Sequence, residues 1–337
     1  MTYPIPRNWH VVGVYKIREK SNWKRCTKCI LPENFPGIRF NEKGICNYCV
    51  SHTAVQYKCE SALRSLLDRY RGKGKKYDCI VPISGGKDSS FVLYSAVEEY
   101  KMRALALNYD SGFTSDQAKQ NLANAIERLH VDYIQIKSKR DIQRKCLKDN
   151  LEAWVMHPSS EAFPMLCYGC TEGYLNGAYR LAGQMGIPMV LLGDSQMESS
   201  VFKQALHRFH ESYLVHLAMK FGQNPHYLHP RRVYHYLLVQ TEFSLPASVY
   251  RFMMRSPPRI VHWFDYVRYD DRRILSTVME KIGWERPRSS ASSWRFDCKI
   301  HAIKDEMYRR NLGYSEKDEL FGKMIREIKS NLSRSQL

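Results

Sequence analysis

The stretch Asp78-Cys-Ile-Val-Pro-Ile-Ser-Gly-Gly-Lys-Asp-Ser-Ser90 constrains this chain more than any other. An apolar run of strand length enters a turn with two glycines, and an amphipathic run from Phe91 to Tyr100 follows the polar cluster. That order predicts strand, tight loop and helix. Gly85 and Gly86 allow the backbone to approach a ligand closely, and the N–H groups opening the helix point toward an anion. Ser84, Ser89 and Ser90 add hydroxyl donors, Lys87 adds a positive charge, and Asp88 stands between them. A phosphate or pyrophosphate is the guest that suits such a loop.

The flanking sequence repeats the pattern of strand and helix. Met102 to Tyr109 is an apolar run ending at Asp110-Ser-Gly112. Ser115 to His130 carries helical periodicity, Val131 to Ile136 alternates like a strand, and Asp141 to Val155 is helical again. Ile187 to Asp194 supplies one more buried strand, ending at Gly193. This alternation predicts an α/β fold with a parallel sheet, whose ligands gather at the carboxyl ends of its strands. Ser84 to Ser90, Asp110 and Gly193 to Glu198 are therefore expected to converge on one crevice. Asp110 reads equally well as a contact to adenosine or magnesium and as a turn-stabilising aspartate. Pro82 departs from the small or branched residue expected just before the loop, since proline cannot donate to a central ladder.

Four of the ten cysteines form two Cys-x-x-Cys pairs, Cys26/Cys29 and Cys46/Cys49, with sixteen residues between the pairs. That is the spacing of a four-cysteine zinc site, and such a module draws much of its folding energy from the metal. A structural role is expected. From Val55 to Tyr70 the pattern is helical, and the basic, glycine-punctuated Arg71 to Lys76 reads as a linker. A third pair, Cys167 and Cys170, lies directly ahead of a helical run from Tyr174 to Met185, and Cys298, with His301 behind it, is the candidate to complete that set. Three thiols can hold an iron–sulfur cluster or another metal with an open position, can include a catalytic thiol, or can simply be buried. Cys59, Cys79 and Cys146 have no partner at ligand spacing and read as core or surface thiols.

Beyond Phe202 the strand signals thin out, and aromatic, arginine-rich helical stretches take over. Arg231, Arg232, Tyr234, Tyr236, Tyr250, Arg251, Phe252, Arg255, Arg259, Trp263, Tyr266, Arg268 and Tyr269 mix charges suited to phosphates with rings suited to packing or stacking. The tail from Ser315 to Leu337 reads as one more amphipathic helix. Three regions result: a zinc-ribbon module and linker helix over 1–70, a nucleotide-binding domain over 76–201, and a helical, basic region over 202–337. The net charge of +18 calls for an anionic partner without choosing among nucleic acid, nucleotide-linked substrate and acidic membrane face. No run is long and apolar enough to span a bilayer and the first residues lack signal-peptide features, so the cytosol is the expected compartment.

The loop is not a Walker loop, which places four residues between its first glycine and Gly-Lys-Ser/Thr. SGGKDS instead resembles the signature of the PP-loop ATP pyrophosphatases, with their adenine nucleotide alpha hydrolase-like fold. Taken with Cys26 to Glu33, Gly44 to Cys49, Cys167/Cys170, Gly193 to Glu198, Gly283-Trp-Glu and Ser293-Trp-Arg-Phe-Asp-Cys298, the chain resembles the N-acetyl sugar amidotransferases of bacterial surface-polysaccharide pathways, including lipopolysaccharide O-antigen. The resemblance implies conversion of an acetamido group on a nucleotide-activated sugar to an acetamidino group. ATP with Mg2+ would adenylylate the amide oxygen and ammonia would displace AMP, with Lys87, Asp88 and Glu198 acting in catalysis. A separate glutaminase with a cyclase-like subunit would channel the ammonia. The rival is a transfer-RNA-modifying PP-loop enzyme of thiolation or lysidine type, since several thiolases pair the loop with Cys-x-x-Cys and a distant cysteine.

Overall fold

The computed structural model describes residues 23–156, 158, 163–198, 229–239, 241–242, 249, 252, 257–287 and 293–334. Five strands form one sheet: β1 (Cys79–Pro82), β2 (Ala104–Asp110), β3 (Asp132–Lys137), β4 (Met189–Leu192) and β5 (Arg259–His262). Their order is β3-β2-β1-β4-β5, and every pairing is parallel, with Cys79 beside Ala104, Leu105 beside Asp132, Ile80 beside Val190 and Met189 beside Arg259. The helices are α1 (Asn47–Val50), α2 (Glu60–Tyr70), α3 (Lys87–Tyr94), α4 (Asp116–Leu129), α5 (Ile142–Met156), α6 (Phe163–Met185), α7 (Pro230–Val239), α8 (Asp271–Ile282), α9 (His301–Leu312) and α10 (Glu316–Arg334). The expected α/β class with a parallel sheet is therefore what the chain adopts. No helix among the described residues is long and apolar enough to cross a membrane.

Strand β4, most of β1 and the first four residues of β2 are continuously apolar because they are covered on both faces. Cys79, Val81, Ala104, Ala106, Met189 and Leu191 point into one core with Leu63 and Leu67 of α2, Phe91 of α3 and Ile274 and Val278 of α8. The alternate residues Ile80, Leu105, Leu107, Val190 and Leu192 face the other way, against Ala178 and Ala182 of α6. The period of two thus divides one run of apolar residues between two layers. Helix α6 lies so close to the sheet that a Cβ on Gly173 would stand 2.3 Å from the Tyr109 ring.

Several boundaries differ from the expectations. Residues 55–59 are not helical, and α2 starts at Glu60. The amphipathic run Phe91 to Tyr100, directly beyond the loop, stops being α-helical at Tyr94 and continues as a π-helical turn over Ser95–Glu99. Helix α6 begins at Phe163, so Cys167 and Cys170 lie inside it rather than ahead of it. The largest difference is β5, a strand within the region expected to be helical, so the sheet takes its last strand from beyond residue 201. It is short, and Arg259 and His262 at its ends face solvent, which leaves only Ile260 and Val261 as an apolar signal. Tyr250, Arg251 and Arg255, and the stretch 199–228, lie outside the described residues.

The cysteine module docks on the far end of the chain. Arg25 pairs with Asp318 of α10 at 2.6 Å, His52 with Glu327 at 3.1 Å, and Leu31 and Phe35 share a core with Tyr314. The N-terminal module and the C-terminal helix are therefore one packed unit.

Candidate active site

The strand order reverses direction between β1 and β4, which is where open parallel sheets leave a crevice for ligands. Pro82, the last residue of β1, sits at this point. Ile83 donates its N–H toward β2, to Leu107 O at 2.8 Å, so by strand alternation the donor that proline lacks would have faced β4. The proline ends the ladder where the crevice opens. A cavity of about 360 Å³ follows, lined by Ser84, Gly86, Lys87, Asp88 and Ser89, by Asn108 and Tyr109 of β2, and by Gly193, Asp194 and Glu198. That volume lies within the range of small-molecule sites.

The loop is held from behind. Gly85 has φ +83°, and a Cβ there would stand 2.0 Å from Ala118 O, so only glycine fits both the conformation and the space. Its carbonyl accepts the Trp284 indole N–H at 3.0 Å, while Asn121 of α4 exchanges hydrogen bonds with the backbone of Glu285 at 2.8 and 2.9 Å. Ser84 Oγ accepts from Gly86 N at 3.2 Å, and Ser89 Oγ accepts from Ser84 N at 3.3 Å. Lys87, Asp88 and Ser89, the first residues of α3, whose N–H groups have no intrahelical partner, all line the cavity.

The predicted residues fall into distinct places. Ser84, Gly86, Lys87, Asp88, Ser89, Gly193 and Glu198 line the cavity together. Gly85 shapes the loop from behind it, and Ser90 is fully buried in α3. Asp110 is not among the lining residues, and its carboxylate accepts from Gly112 N at 2.8 Å, which is the turn-stabilising alternative. Lys87 is only 2% exposed and is already surrounded: its ammonium lies 3.0 Å from Asp88, 3.0 Å from Asp271 and 2.7 Å from the Tyr269 hydroxyl. The Trp294 ring covers it at 3.5 Å. Burial, reinforced by Glu198 and only partly offset by Lys87, holds the Asp88 carboxyl above its usual range.

The far wall of the cavity comes from the segment Ser293 to Cys298, which is laid against the loop after β2. Thr114 and Cys298 form an antiparallel bridge, Ser115 donates to Asp297 O at 2.9 Å, and Lys299 donates to Phe113 O at 2.8 Å. Arg295 within this segment has φ +56° and reaches Glu198 at 3.0 Å and Glu316 of α10 at 3.6 Å. Burial disfavours its charge, but Glu316, Glu198 and Asp297 outweigh that and raise its pKa. A half-buried arginine in a sparsely populated backbone region beside a cavity marks a constrained site. Cys167, Cys170 and Cys298 all line the same cavity, next to Phe113, Leu166 and His301. Burial pushes Cys170 up to about 12 and Cys298 up to about 11, so both are neutral thiols at neutral pH.

Tyr269, Asp271, Trp294 and Arg295 were not singled out for this site from the sequence. Asp271 carries no signal beyond its place in the first turn of α8, behind the capping residue Asp270. Trp294 and Arg295 sit in the same Trp-Arg-Phe-Asp-Cys stretch as Cys298, which was the available clue.

The second chemical feature is the cysteine module. The sulfurs of Cys26, Cys29, Cys46 and Cys49 are buried and lie within 4.8 Å of one another. Cys26 and Cys49 are 3.8 Å apart, Cys29 and Cys46 3.6 Å. Four sulfurs around a tetrahedral zinc ion are spaced about 3.8 Å apart, given a bond of about 2.3 Å. The donor set and spacing fit such an ion. Burial pushes the Cys46 thiol up to about 11 and raises Cys49 as well, whereas at Cys26 burial is outweighed by backbone N–H groups of Cys46, Lys28 and Cys29, which bring it down to about 6. Arg326 of α10, itself buried, donates to Cys29 Sγ at 3.2 Å, an outer contact of the kind that supports thiolate ligands. Among the described residues no comparable group of metal-spaced side chains forms at Cys167, Cys170 and Cys298.

No family model matches the chain. An uncharacterized protein of Methanocaldococcus jannaschii is 24% identical over 175 residues, which are 50% of this chain and 58% of that protein. The chain thus spans little more than half the length of that relative. Among solved structures, a U34-tRNA thiolase of Methanococcus maripaludis with its 4Fe–4S cluster is 14% identical, covering 93% of this chain and 89% of that one at a TM-score of 0.35. NMN synthetase of Francisella tularensis is 13% identical, covering 81% and 92% at a TM-score of 0.37. Scores of this size do not establish a shared fold, and the parallel sheet with its SGGKDS crevice stands on its own geometry.

Proposed function

We propose that this chain is an ATP-dependent enzyme that forms AMP and pyrophosphate, and that its acceptor is the acetamido group of a nucleotide-linked N-acetyl sugar. The observation that carries the nucleotide half is the SGGKDS loop at the β1/β4 reversal, opening on a cavity of about 360 Å³. The acceptor half rests on the family resemblance of the sequence, including the Trp294 to Cys298 segment that walls the same cavity.

An amide carbonyl is a poor electrophile, and its oxygen is a poor leaving group. Attack of that oxygen on the α-phosphorus breaks the bond to pyrophosphate and leaves the oxygen bonded to the adenylyl group. Ammonia then adds to the amide carbon, the carbon–oxygen bond breaks, AMP departs with the former amide oxygen, and an amidinium group remains. First-turn N–H groups of α3 and Lys87 would offset charge growing on the departing pyrophosphate. Mg2+ accompanying the phosphates would add to that stabilisation. Ammonia would come from a separate glutaminase through a cyclase-like subunit. The four-cysteine module would hold zinc in a structural role, since it packs on α10 and lines no part of the cavity.

Purified protein is expected to form AMP only when ATP, a UDP-linked N-acetyl sugar and an ammonium salt are all present. Lys87→Ala should lower that rate about a hundredfold or more while leaving bound zinc unchanged. AMP formation with transfer RNA and a sulfur donor, and none with the sugar, would overturn the acceptor assignment. One observation favours this second reading, a transfer-RNA-modifying enzyme: Cys167, Cys170 and Cys298 line the cavity that the SGGKDS loop opens on. Under it those thiols would hold an iron–sulfur cluster or carry sulfur, and iron and sulfide analysis of anaerobically purified protein separates the two.

A further inference from the structure

An ammonium group has three N–H donors, and Lys87 has three acceptor groups around it. Asp88 lies at 3.0 and 3.1 Å, the Tyr269 hydroxyl at 2.7 Å, and Asp271 at 3.0 Å as an ion pair. Tyr269 in turn donates to Asp88 at 2.8 Å, so the hydroxyl is fixed between the two charges. The Trp294 ring lies 3.5 Å from the ammonium and closes the remaining side, an attractive contact for a lysine that is itself almost wholly buried. A lysine so placed has no donor left for a phosphate. The acceptors come from distant parts of the chain: Tyr269 and Asp271 lie at the entry to α8, Trp294 in the far wall of the cavity, and Lys87 at the start of α3.

We infer that Lys87 reaches the nucleotide by leaving a preformed seat, and that Tyr269, Asp271 and Trp294 are positioning residues that build this seat. The inference rests on the reading that the SGGKDS loop binds ATP. On arrival of the phosphates, Lys87 keeps one hydrogen bond to Asp88 and turns its other two donors from Tyr269 and Asp271 to phosphate oxygens. Asp271 is the partner most easily released, since its side chain is 30% exposed and water can replace the ammonium there. The seat keeps a buried charge paired before the nucleotide arrives, and through Tyr269 and Asp271 it competes with the nucleotide for two of the three donors.

Competition gives the test a sign that a supporting residue would not produce. Loss of a residue that merely supports the loop weakens ATP binding, whereas loss of a seat acceptor strengthens it. Asp271→Asn and Tyr269→Phe are each expected to lower the Kd for ATP, measured by titration calorimetry, on the order of fivefold. In a Lys87→Met background Tyr269→Phe should have no effect, and the gain from Asp271→Asn should shrink to what one fewer negative charge near the phosphates gives. ATP should also change tryptophan emission in the parent protein, and that change should be lost in both Trp294→Phe and Lys87→Met. Unchanged or weaker binding in both seat variants, or equal tightening without Lys87, would overturn the inference and leave the nucleotide site standing. Absence of ATP binding by the parent protein would overturn both.

Discussion

Asp78 shows how a single side chain ties the site to the rest of the sheet. It immediately precedes β1, is 1% exposed, and accepts from Arg103 Nη2 at 2.7 Å, from Arg103 N at 3.1 Å and from Gly72 N at 2.8 Å. Burial opposes its charge, but the Arg103 side chain and these backbone donors outweigh burial and hold its pKa below the usual carboxylate value. A depressed folded-state pKa contributes stability that is fully present above the unfolded value of about 4 and is lost as pH falls through the folded value. Asp78→Asn should therefore destabilise the protein by about 2–4 kcal/mol at pH 7, discounted for the half-exposed arginine. Urea unfolding should show that the gap between parent and variant narrows below about pH 4. A gap that stays constant into acid would mean that the carboxylate's charge contributes nothing. Such contacts were invisible in the sequence, where Asp78 was only the residue ahead of an apolar run. Gly85, by contrast, was legible because few backbone positions demand glycine as strictly as one with φ +83° and a carbonyl oxygen 2.0 Å from where a Cβ would stand.

Helices and strands were read well wherever periodicity and capping agreed. Ser115 to His130 was legible to the residue, because Ser115 caps α4 by accepting from Ala118 N and His130 closes it in the left-handed region. Helix α6 was read short at its start because Pro164, Gly169 and Gly173 look like breakers, yet Gly173 is required by the Tyr109 ring. Helix α10 carries the consequence of greatest reach. Its Glu316 meets Arg295 at the cavity wall and Lys304 at 2.6 Å, while Arg326 meets Cys29 two to three turns further on. The helix joins the thiolate cluster to the wall of the crevice. Arg326→Met should lower zinc affinity about tenfold to a hundredfold, as judged by competition with a chromophoric chelator. Retention of full affinity would show that the guanidinium does not support the thiolates. Chelation should also lower the unfolding temperature, since the module shares its core with Tyr314.

At the scale of the molecule, the parallel sheet and its crevice were legible because strand and helix alternate with clear periods from Asp78 to Asp194. The fifth strand was not, being four residues long with two exposed ends in an arginine-rich region. Nor was the docking of the first described residues onto the last helix, since no local signal links Arg25 to Asp318 or Cys29 to Arg326. The joined ends and the late strand bring Tyr269, Asp271 and Trp294 around a lysine that the sequence placed in a loop by itself. The proposed function places one event in the β1/β4 crevice, the transfer of an adenylyl group to an acceptor oxygen. The direct measurement uses a UDP-linked N-acetyl sugar whose acetamido oxygen is 18O, with ATP and ammonium, and mass analysis of the nucleotide product. AMP carrying one 18O on its phosphate is expected. Unlabelled AMP, or ADP and orthophosphate in place of AMP and pyrophosphate, would contradict that transfer.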